Sequence, residues 1–506
     1  MNKIIKFVWG LAMLVSVMAS NSGCKKFLDR QPLTSTLDDL NQGGLETQAL
    51  GLYGSIRNSG SDPYIGDGFQ SIPWLGMNGF RSDDQEIVAD PGAAGWHSTY
   101  DLFQYAKDDW GSGQVWDKHY LLIGQCNTII QTADSLKLTD EGSLINIAEA
   151  KFFRALSYWD LVRNYGPVPK IDFRIYKSTD GNIAKNSEAE IFALIDADLT
   201  FAADNLPPTW SAKFTGRLTS GAARTLLAKS KMWNKQWAAA LSLCNIVIKS
   251  NLYSLFPTYA TIWKPENELN SESIFSIQAS EKPGDGSKYW SWFGTAQGVR
   301  GADADGWNLG WGWNTPTSKL VSAYEAGDPR KPATILFSGQ SDDPANGGYG
   351  RTLPPYTNAL YWNKKAYVSV AQQQAANDPN GAAFVDCMLL RYADVILMAA
   401  EAANETADGV TAATMLEKIR ARARGNNNAV LPAVPFTNQA QMRDAIKAER
   451  RVEFAMEFER FYDLVRWGDA GSVLAPLGYQ TKNKYFPLPT TAIAGNPKLV
   501  QNPDYP

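Results

Sequence analysis

The spacing of apolar and polar residues predicts a chain that is mostly helical. Apolar side chains recur with a helical period in eight segments, which are 44–60, 114–136, 143–165, 187–206, 219–233, 236–250, 389–405 and 410–424. One helix start is well defined, because Ser187 can cap it and Glu190 can complete a capping box. Pro207 and Pro208 end the same segment. Long helices should therefore form the framework of the protein.

Two pairs of these segments are separated by only a few residues and predict helical hairpins. They are 219–233 with 236–250, and 389–405 with 410–424. Both pairs are rich in Ala and Leu, which suits close helix crossings and is typical of tetratricopeptide-like packing. No clean repeat of about 34 residues accompanies them. We expect a helical scaffold over about 44–60, 114–250 and 389–467.

Residues 251–388 lack the helical period and predict a loop-rich lobe. They hold many Gly, Asn, Asp and Trp residues, and Ser273–Gln278 is the clearest strand. Leu353–Pro355 and Asn377–Gly381 are typical of loops. Residues 61–100 are also predicted to be irregular, and long irregular stretches in compact domains are often functional. The expected fold class is mainly α, with an irregular lobe that carries a few short strands.

The stretch from Gln441 to Trp467 combines charged and aromatic residues and predicts one long helix that is largely covered. Asn438 can cap it, and Gly468 ends it. Three opposite-charge pairs have i,i+3 spacing, which are Arg450 with Glu453, Glu457 with Arg460, and Asp463 with Arg466. The aromatic residues fall on more than one face of the helix. We therefore expect some of the charges to be paired in the interior.

The N-terminal residues predict export and lipid attachment. Residues 1–23 have the positive start and the short apolar core of a signal peptide, and they end directly before Cys24. Small residues before a Cys resemble a lipoprotein cleavage site, so Cys24 is the expected lipidation site. Residues 24–43 would form a tether, and residues 44–506 a single domain. No later run of about 20 apolar residues predicts a transmembrane helix.

Composition argues against several classes of partner and site. The 506 residues carry a formal net charge of −4, which becomes −6 once Lys3 and Lys6 leave with the signal peptide. Because the chain is mildly acidic and has no basic stripe, nucleic acid is not an expected partner. Cys126, Cys244 and Cys387 are far apart in apolar surroundings, and we expect them to be small buried residues rather than a disulfide or metal set.

Several motifs along nearly the whole mature chain resemble, in order and spacing, the SusD/RagB family. They are Phe27–Asp29, Glu149–Pro169, Arg217–Ala228, Leu390–Ala402, Glu449–Gly468, Tyr485–Pro489, Asn496–Pro497 and Gln501–Tyr505. The resemblance implies a mostly helical fold with tetratricopeptide-like hairpins. It implies a lipoprotein of the outer membrane that faces the cell exterior and binds nutrient, usually glycan. It also implies a partner, a SusC/RagA-like TonB-dependent transporter on which the protein acts as a lid.

Five of the 17 Trp residues fall close together in the lobe and predict a binding surface. The segment runs from Tyr289 through Trp290, Trp292, Arg300, Trp307, Asn308 and Trp311 to Trp313. Flat aromatic rings on Gly-rich loops can stack on the apolar face of a sugar, while polar neighbours bind its hydroxyl groups. Any one of these Trp residues can instead fill the core of the lobe. A second candidate surface includes Trp74, Arg81 and Trp96, because the family's glycan sites also use N-terminal loops.

Catalysis and cofactor binding have weaker signals. His97 and His119 are the only His residues, and neither lies near a nucleophile motif. The candidate acids for the two carboxylates of a glycosidase are Asp83, Asp84 and Glu86, or Asp303 and Asp305. Asp303 and Asp305 can also bind a structural Ca²⁺, although their spacing is not that of an EF-hand. We expect no enzyme activity and no cofactor other than this calcium.

Three functions are therefore open. The first is binding of glycan without catalysis, followed by delivery to the transporter. The second is binding of peptide by a member of the same family, with apolar side chains on the aromatic surface. The third is a glycosidase at the cell surface.

Overall fold

The computed structural model describes residues 44–57, 71–87, 96–281, 288–289, 291–302, 305–357, 359–376 and 381–505. The predicted signal peptide, Cys24 and the tether lie outside these ranges. Among the described residues, those from Ala49 onward form one compact unit, and residues 44–48 belong to another. The helices are α1 (Gly44–Ile56), α2 (Ile72–Gly79), α3 (Trp96–Asp101), α4 (Trp110–Ser135), α5 (Glu141–Tyr165), α6 (Glu188–Asn205), α7 (Ser220–Trp233), α8 (Trp237–Lys249), α9 (Trp292–Gln297), α10 (Ser318–Ala323), α11 (Arg330–Thr334), α12 (Val370–Ala375), α13 (Tyr392–Glu405), α14 (Gly409–Arg424), α15 (Gln439–Glu453), α16 (Arg460–Trp467), α17 (Ala470–Leu474) and α18 (Thr490–Gly495).

The long helices pack one after another and form the scaffold. Helix α4 packs on α5, α5 on α6, α6 on α7, and α7 on α8. Helix α8 then packs on α13, which is distant in sequence, and α13 packs on both α14 and α15. The hairpins α7–α8 and α13–α14 are therefore neighbours, and the lobe is inserted between them. The predicted mainly α fold with a tetratricopeptide-like scaffold is confirmed.

Side-chain caps define where several of these helices begin. Ser187 and Glu190 form the predicted capping box of α6, and Asn438 caps α15 as predicted. Asp109 and Asp140 accept hydrogen bonds from the third backbone N–H after them and so cap α4 and α5. Each cap satisfies an N–H group that has no partner within its own helix.

The strands in the described ranges form two-stranded antiparallel sheets. They are β1 (Gln85–Glu86), β2 (Ser273–Ile277), β3 (Ser280–Glu281), β4 (Lys288–Tyr289), β5 (Thr315–Pro316), β6 (Ile335–Phe337), β7 (Tyr361–Asn363) and β8 (Cys387–Arg391). The pairs are β1–β5, β2–β8, β3–β4 and β6–β7. The predicted strand at residues 273–278 is confirmed as β2. Because β8 pairs with it, the helix predicted from Leu389 begins only at Tyr392, which corrects that boundary.

Residues 61–100 are not irregular throughout, contrary to the prediction. Helices α2 and α3 lie within this stretch or overlap its end. All eight residues of α2 are buried. A helix that is covered on every side shows no alternation between an apolar and a polar face, so its sequence lacks the periodic signal.

The charged stretch forms two helices rather than the predicted single helix. Helix α15 ends at Glu453 and α16 begins at Arg460. Between them, Met456 and Phe458 have positive φ angles of 67° and 66°, which ends any helix. The break turns the Phe458 ring toward α2 and α9, where it meets the rings of Trp74 and Phe293 at centroid distances of 5.8 and 5.9 Å.

Charges of this stretch are paired in the interior, as predicted, but mostly with distant partners. Of the three predicted i,i+3 pairs, only Asp463–Arg466 appears among the ion pairs of the described residues, at 2.8 Å. Arg450 instead binds Asp394 and Asp463 at 2.8 and 3.0 Å. The carboxylate of Glu453 binds three guanidinium groups, which belong to Arg330, Arg391 and Arg422.

Two further predictions concern small residues and membrane spans. Cys126, Cys244 and Cys387 are buried, as expected. None of the helices in the described ranges combines the length and apolar character needed to cross a bilayer.

Candidate functional site

Helix α9 carries a hairpin, residues 298–302 and 305–313, which we call the lobe hairpin. Its two sides pair through Arg300 and Asn308. The returning side also packs along α9, since the N–H groups of Trp311 and Trp313 donate to the carbonyls of Thr295 and Ala296 at 2.8 and 2.9 Å. The backbone of the lobe hairpin is therefore fixed from both sides.

Close backbone contact inside the lobe hairpin depends on glycine. A Cβ atom on Gly298 would lie 2.2 Å from the carbonyl oxygen of Leu309, and one on Gly310 would lie 2.6 Å from the Gly298 Cα. Both distances are far below van der Waals contact. Only glycine at these two positions lets the two sides approach each other as they do.

Three of the predicted Trp residues stack together at the base of the lobe hairpin. The rings of Trp292 and Trp311 are stacked with centroids 5.3 Å apart and an interplanar angle of 22°. The ring of Trp313 lies 4.9 Å from Trp311 on the same ladder, and the His97 ring from α3 lies 4.1 Å from Trp313. Trp292, Trp313 and His97 are buried, whereas Trp311 is partly exposed. Trp311 therefore lies between two buried Trp rings and is the one ring of this aromatic ladder that solvent can reach.

The lobe hairpin also carries polar residues that solvent can reach. Arg300 is exposed and Asn308, its paired residue, is partly exposed. The structure therefore brings Arg300, Asn308 and Trp311 onto one short, rigid element.

Trp307, predicted as a ligand-facing residue, is buried in the lobe and has a different environment. Its ring lies parallel to that of Tyr367, with a centroid distance of 5.9 Å and an interplanar angle of 12°. The guanidinium of Arg351 covers it at 4.0 Å. Arg351 also donates to the carbonyls of Gly306 and Asp305 at 3.0 and 2.8 Å. Trp307 thus helps to hold the tip of the lobe hairpin from inside.

The proposed calcium residues are only partly described. Asp303 lies outside the described residues, and Asp305 is exposed, with its carboxylate accepting the Trp307 N–H at 3.1 Å. Within the described ranges, no three His, Cys, Asp or Glu residues are grouped as metal ligands. A calcium site at this position remains a prediction.

Two of the residues predicted for the N-terminal surface lie in the interior. Trp74 is 4% exposed and donates to the Asp160 carboxylate at 2.7 Å. Arg81 is fully buried, with its guanidinium 3.9 and 4.6 Å from the ring centroids of Phe461 and Phe486. Both side chains join α2 and the turn after it to the scaffold. Neither offers a surface for a ligand in this structure.

The remaining predicted residues have no described side chain. Trp290 lies outside the described ranges, and only the backbones of Trp96 and Tyr289 are described. Trp96 begins α3, the helix that places His97 against Trp313. The N-terminal segment and the lobe therefore meet at the aromatic ladder.

A buried polar layer under the ladder was not identified from the sequence. The Gln297 side-chain oxygen accepts from the amides of Asn314 and Asn363 at 2.5 and 3.1 Å. Its amide donates to the Phe293 carbonyl at 3.0 Å. Asn314 has a positive φ of 61°, which Asn tolerates better than most residues. In the sequence, the only indication of this polar layer is the Gly-Trp-Asn pattern that ends at Asn314.

Two of the acids suggested for a glycosidase have structural partners. Asp83 and Asp84 are buried, and Arg451 binds them at 2.9 and 2.5 Å. Arg460 also binds Asp83, at 2.9 Å. Such paired carboxylates tie the turn after α2 to the charged helices. They are enclosed rather than placed along an open cleft.

Two titratable groups in α3 and α4 have shifted pKa values. Burial, together with the neighbouring Glu86 carboxylate, raises the pKa of Asp101 to about 7. Burial lowers the pKa of His119 to about 4, so this imidazole is neutral at neutral pH. His119 lies in α4, within the scaffold and away from the lobe hairpin in sequence.

The sequence matches two protein-family models and several known proteins. A family model described as the SusD family matches residues 271–483. A second, described as starch-binding associating with outer membrane, matches residues 82–231. SusD-like protein P2 of Formosa agariphila is 26% identical over 447 residues, which cover 83% of this chain and 86% of that protein.

Solved structures show the same architecture. Surface glycan-binding protein A of Bacteroides fluxus matches with a TM-score of 0.75 and 24% identity, covering 92% of this chain and 99% of its own. The protein of the same name from Bacteroides thetaiotaomicron, in complex with laminarihexaose, matches with a TM-score of 0.73 and 21% identity, covering 90% and 98%. With the two family matches spread over most of the described residues, the chain belongs to the SusD family.

Proposed function

We propose that the protein binds glycan at the cell surface through Trp311 and the lobe hairpin. The observation that carries this proposal is the aromatic ladder, in which buried Trp rings on both sides hold the partly exposed ring of Trp311. A sugar ring has an apolar face of C–H groups that can stack on such a plane. Its hydroxyl groups then require polar partners, which Arg300 and Asn308 can supply from the same hairpin.

A preorganised site of this kind loses little entropy on binding. The rings behind Trp311 are buried, and backbone hydrogen bonds to α9 fix its position. Because few groups have to be ordered by the ligand, even one exposed ring can contribute usefully to affinity. The family relatives that are named for glycan or starch binding support the same choice of ligand.

In the same proposal the protein does not cleave its ligand. Asp83 and Asp84 are held by arginine side chains, and a glycosidase needs two carboxyl groups that flank an accessible bond. The bound glycan would instead pass to a SusC-like TonB-dependent transporter. Lipid attachment at Cys24 would keep the protein at the outer membrane, facing the exterior, as the family resemblance implies.

The test is calorimetric titration of the lipid-free mature protein with a panel of oligosaccharides and with a peptide digest. We expect saturable binding of one glycan class and a loss of roughly tenfold or more in affinity for Trp311→Ala. The matched control is Trp237→Ala, a partly exposed Trp on α8, which should bind as the unmodified protein does.

The same samples distinguish the other functions. Chromatography of the oligosaccharide after incubation should show no shorter product, and a product formed at a steady rate would indicate a glycosidase. Binding of peptides combined with indifference to all glycans would indicate a peptide-binding protein. Equal glycan affinity of the Trp311→Ala and Trp237→Ala proteins would show that the glycan site is not at the lobe hairpin.

A further inference from the structure

A short segment between α5 and α6, residues 170–177, exposes an unusual amount of apolar surface. Phe173, Ile175 and Tyr176 are 37%, 43% and 67% exposed. In the described ranges no other stretch of this length exposes three large apolar side chains. Isolated exposed apolar residues are ordinary, but a contiguous group marks an interaction surface.

The backbone of this segment is fixed to the scaffold, so the exposure is a property of the fold. Asn127 of α4 donates to the carbonyls of Ile171 and Phe173 at 2.8 and 2.9 Å. Gln131, one turn further, accepts from the N–H of Arg174 at 3.0 Å. With its main chain held in this way, the segment presents its side chains in one arrangement.

The carboxylate of Asp180, which follows the segment in sequence, holds the second half of the segment. Asp180 accepts from the N–H groups of Tyr176 and Lys177 at 3.1 and 2.9 Å. Tyr176 therefore remains exposed although its backbone is ordered.

Cationic side chains surround the apolar group. They are Lys170, Arg174 and Lys177. Lys170 lies 3.6 Å from Asp172, and both of these side chains are about one third exposed, at 35% and 40%. The Arg174 guanidinium lies 5.2 Å from the centroid of the Tyr176 ring. The whole chain has a net charge of −4, so this segment is positive in a protein that is otherwise acidic.

A groove beside the segment extends the apolar surface. It has a volume of about 640 Å³ and contains Phe173 in its wall. The opposite walls come from α4, α5 and α6, with Ile130, Ile147 and Phe201. Apolar surface thus continues from the tip of the segment into the scaffold.

We propose that residues 170–177 lie against an anionic lipid surface. Aromatic and aliphatic side chains flanked by Lys and Arg are the combination that enters the headgroup region of a membrane. The cations would bind lipid phosphate groups, while Phe173, Ile175 and Tyr176 would insert between headgroups. Charge complementarity favours this occupant, because an anionic membrane attracts a basic segment. This contact is separate from glycan binding at the lobe hairpin.

The test uses the lipid-free mature protein, so that an attached lipid cannot cause binding. It is mixed with phosphatidylcholine vesicles that contain or lack phosphatidylglycerol, and the bound fraction is measured by co-sedimentation. We expect binding to the anionic vesicles that weakens as salt is added. The triple variant F173S/I175S/Y176S should bind roughly tenfold more weakly. Replacing one of the three cations by Ser should cost roughly fivefold.

A matched control separates this segment from exposed apolar residues in general. Val410 and Leu360 are 77% and 58% exposed, and V410S/L360S should bind the vesicles as the unmodified protein does. Circular dichroism of all variants establishes that they are folded.

Absence of binding to both kinds of vesicle, or equal binding by the triple variant, would overturn the proposal. Glycan titration of the triple variant should be unchanged, so failure of this proposal is distinct from failure of glycan binding.

Discussion

At the scale of single residues, the lobe hairpin depends on the missing side chain of Gly298. A methyl group there would meet the Leu309 carbonyl at 2.2 Å, and backbone atoms cannot move aside as a flexible side chain can. Gly298 has an ordinary φ of −64°. Its requirement is therefore space and not backbone conformation.

We predict that Gly298→Ala separates the two sides of the lobe hairpin and displaces Trp311. Overpacking of this kind costs about 1–3 kcal/mol in the free energy of unfolding. Affinity for the oligosaccharide found by calorimetry should fall by roughly tenfold or more, since a displaced ring loses its stacking partner. Thermal denaturation and the same titration measure the two effects.

Gly124 is the matched control for this substitution. It lies inside α4 with no atom within 4 Å of a Cβ position. Gly124→Ala should stabilise the protein by about 0.5–1 kcal/mol through helix propensity and leave affinity unchanged. Unaltered affinity in Gly298→Ala would show that the ring does not depend on the hairpin.

The sequence located the aromatic cluster but not the role of each ring. Composition and Gly spacing predicted that Trp292, Trp311 and Trp313 belong to one surface, and these three do stack together. Exposure is decided by contacts that are distant in sequence, such as the His97 ring on Trp313. For Trp74, the deciding contact is its hydrogen bond to Asp160. The spacing of neighbouring residues in the sequence does not predict such contacts.

At the scale of elements, the central feature is the group of arginines around Glu453 at the end of α15. Arg391 of β8 and Arg330 of α11 bind its carboxylate at 2.8 and 3.1 Å, and Arg422 of α14 binds it as well. Burial alone would raise the pKa of Glu453, but the guanidinium groups of Arg422, Arg391 and Arg330 outweigh burial and lower it. One carboxylate thus joins a scaffold hairpin to the lobe.

We predict that Glu453→Gln strongly destabilises the protein, although it preserves the shape of the side chain. The substitution leaves buried guanidinium groups without their shared counter-charge, which costs about 3–5 kcal/mol. Chemical denaturation followed by circular dichroism measures the loss.

The matched control is Glu417→Gln. Glu417 binds Arg424 near the surface, with 31% of its side chain exposed. An exposed pair contributes about 0–1 kcal/mol. Equal losses in the two variants would show that the buried cluster contributes no more than a surface pair.

Helix positions were predictable from the sequence to within a few residues, whereas the break in the charged stretch was not. The i,i+3 spacing of Glu457 and Arg460 favoured a continuous helix. In the structure Glu457 binds Lys365 and Arg391 instead, and Arg460 binds Asp83. These buried pairs with distant elements outweigh a local pair that is worth a few tenths of a kcal/mol. Tertiary contacts therefore decide where α15 ends.

At the scale of the whole molecule, the lobe leaves and rejoins the scaffold through the β2–β8 sheet. Two acids lie at the end of this sheet. The Asp386 carboxylate accepts from the Ala279 N–H at 2.7 Å, and the Glu268 carboxylate accepts from the Asp386 N–H at 3.1 Å. Burial and the neighbouring Asp386 raise the pKa of Glu268 to about 8, and burial raises the pKa of Asp386 to about 7.

The sign of the resulting pH dependence follows from proton counting. Between about pH 5 and pH 8 the folded protein holds protons on this pair that the unfolded chain has already released, so its contribution to stability falls as pH rises. Lys264 acts in the opposite direction, because burial and the neighbouring Lys364 lower its pKa to about 7. From about pH 7 upward the unfolded chain binds the additional proton there, and stability rises with pH.

We predict that Asp386→Asn removes the part of the first effect that comes from Asp386 and leaves the second effect. Asn keeps an oxygen that can accept from Ala279, yet it has no charge to repel Glu268. The free energy of unfolding of the unmodified protein, minus that of the variant, should therefore be larger near pH 5 than near pH 8, because only the unmodified protein releases a proton from residue 386 in this range. Denaturant titrations across this range measure the difference.

Asp444→Asn, at an exposed position on α15, is the matched control and should give a difference that does not change with pH. A flat difference for Asp386→Asn as well would mean that the folded protein does not hold a proton on Asp386 in this range.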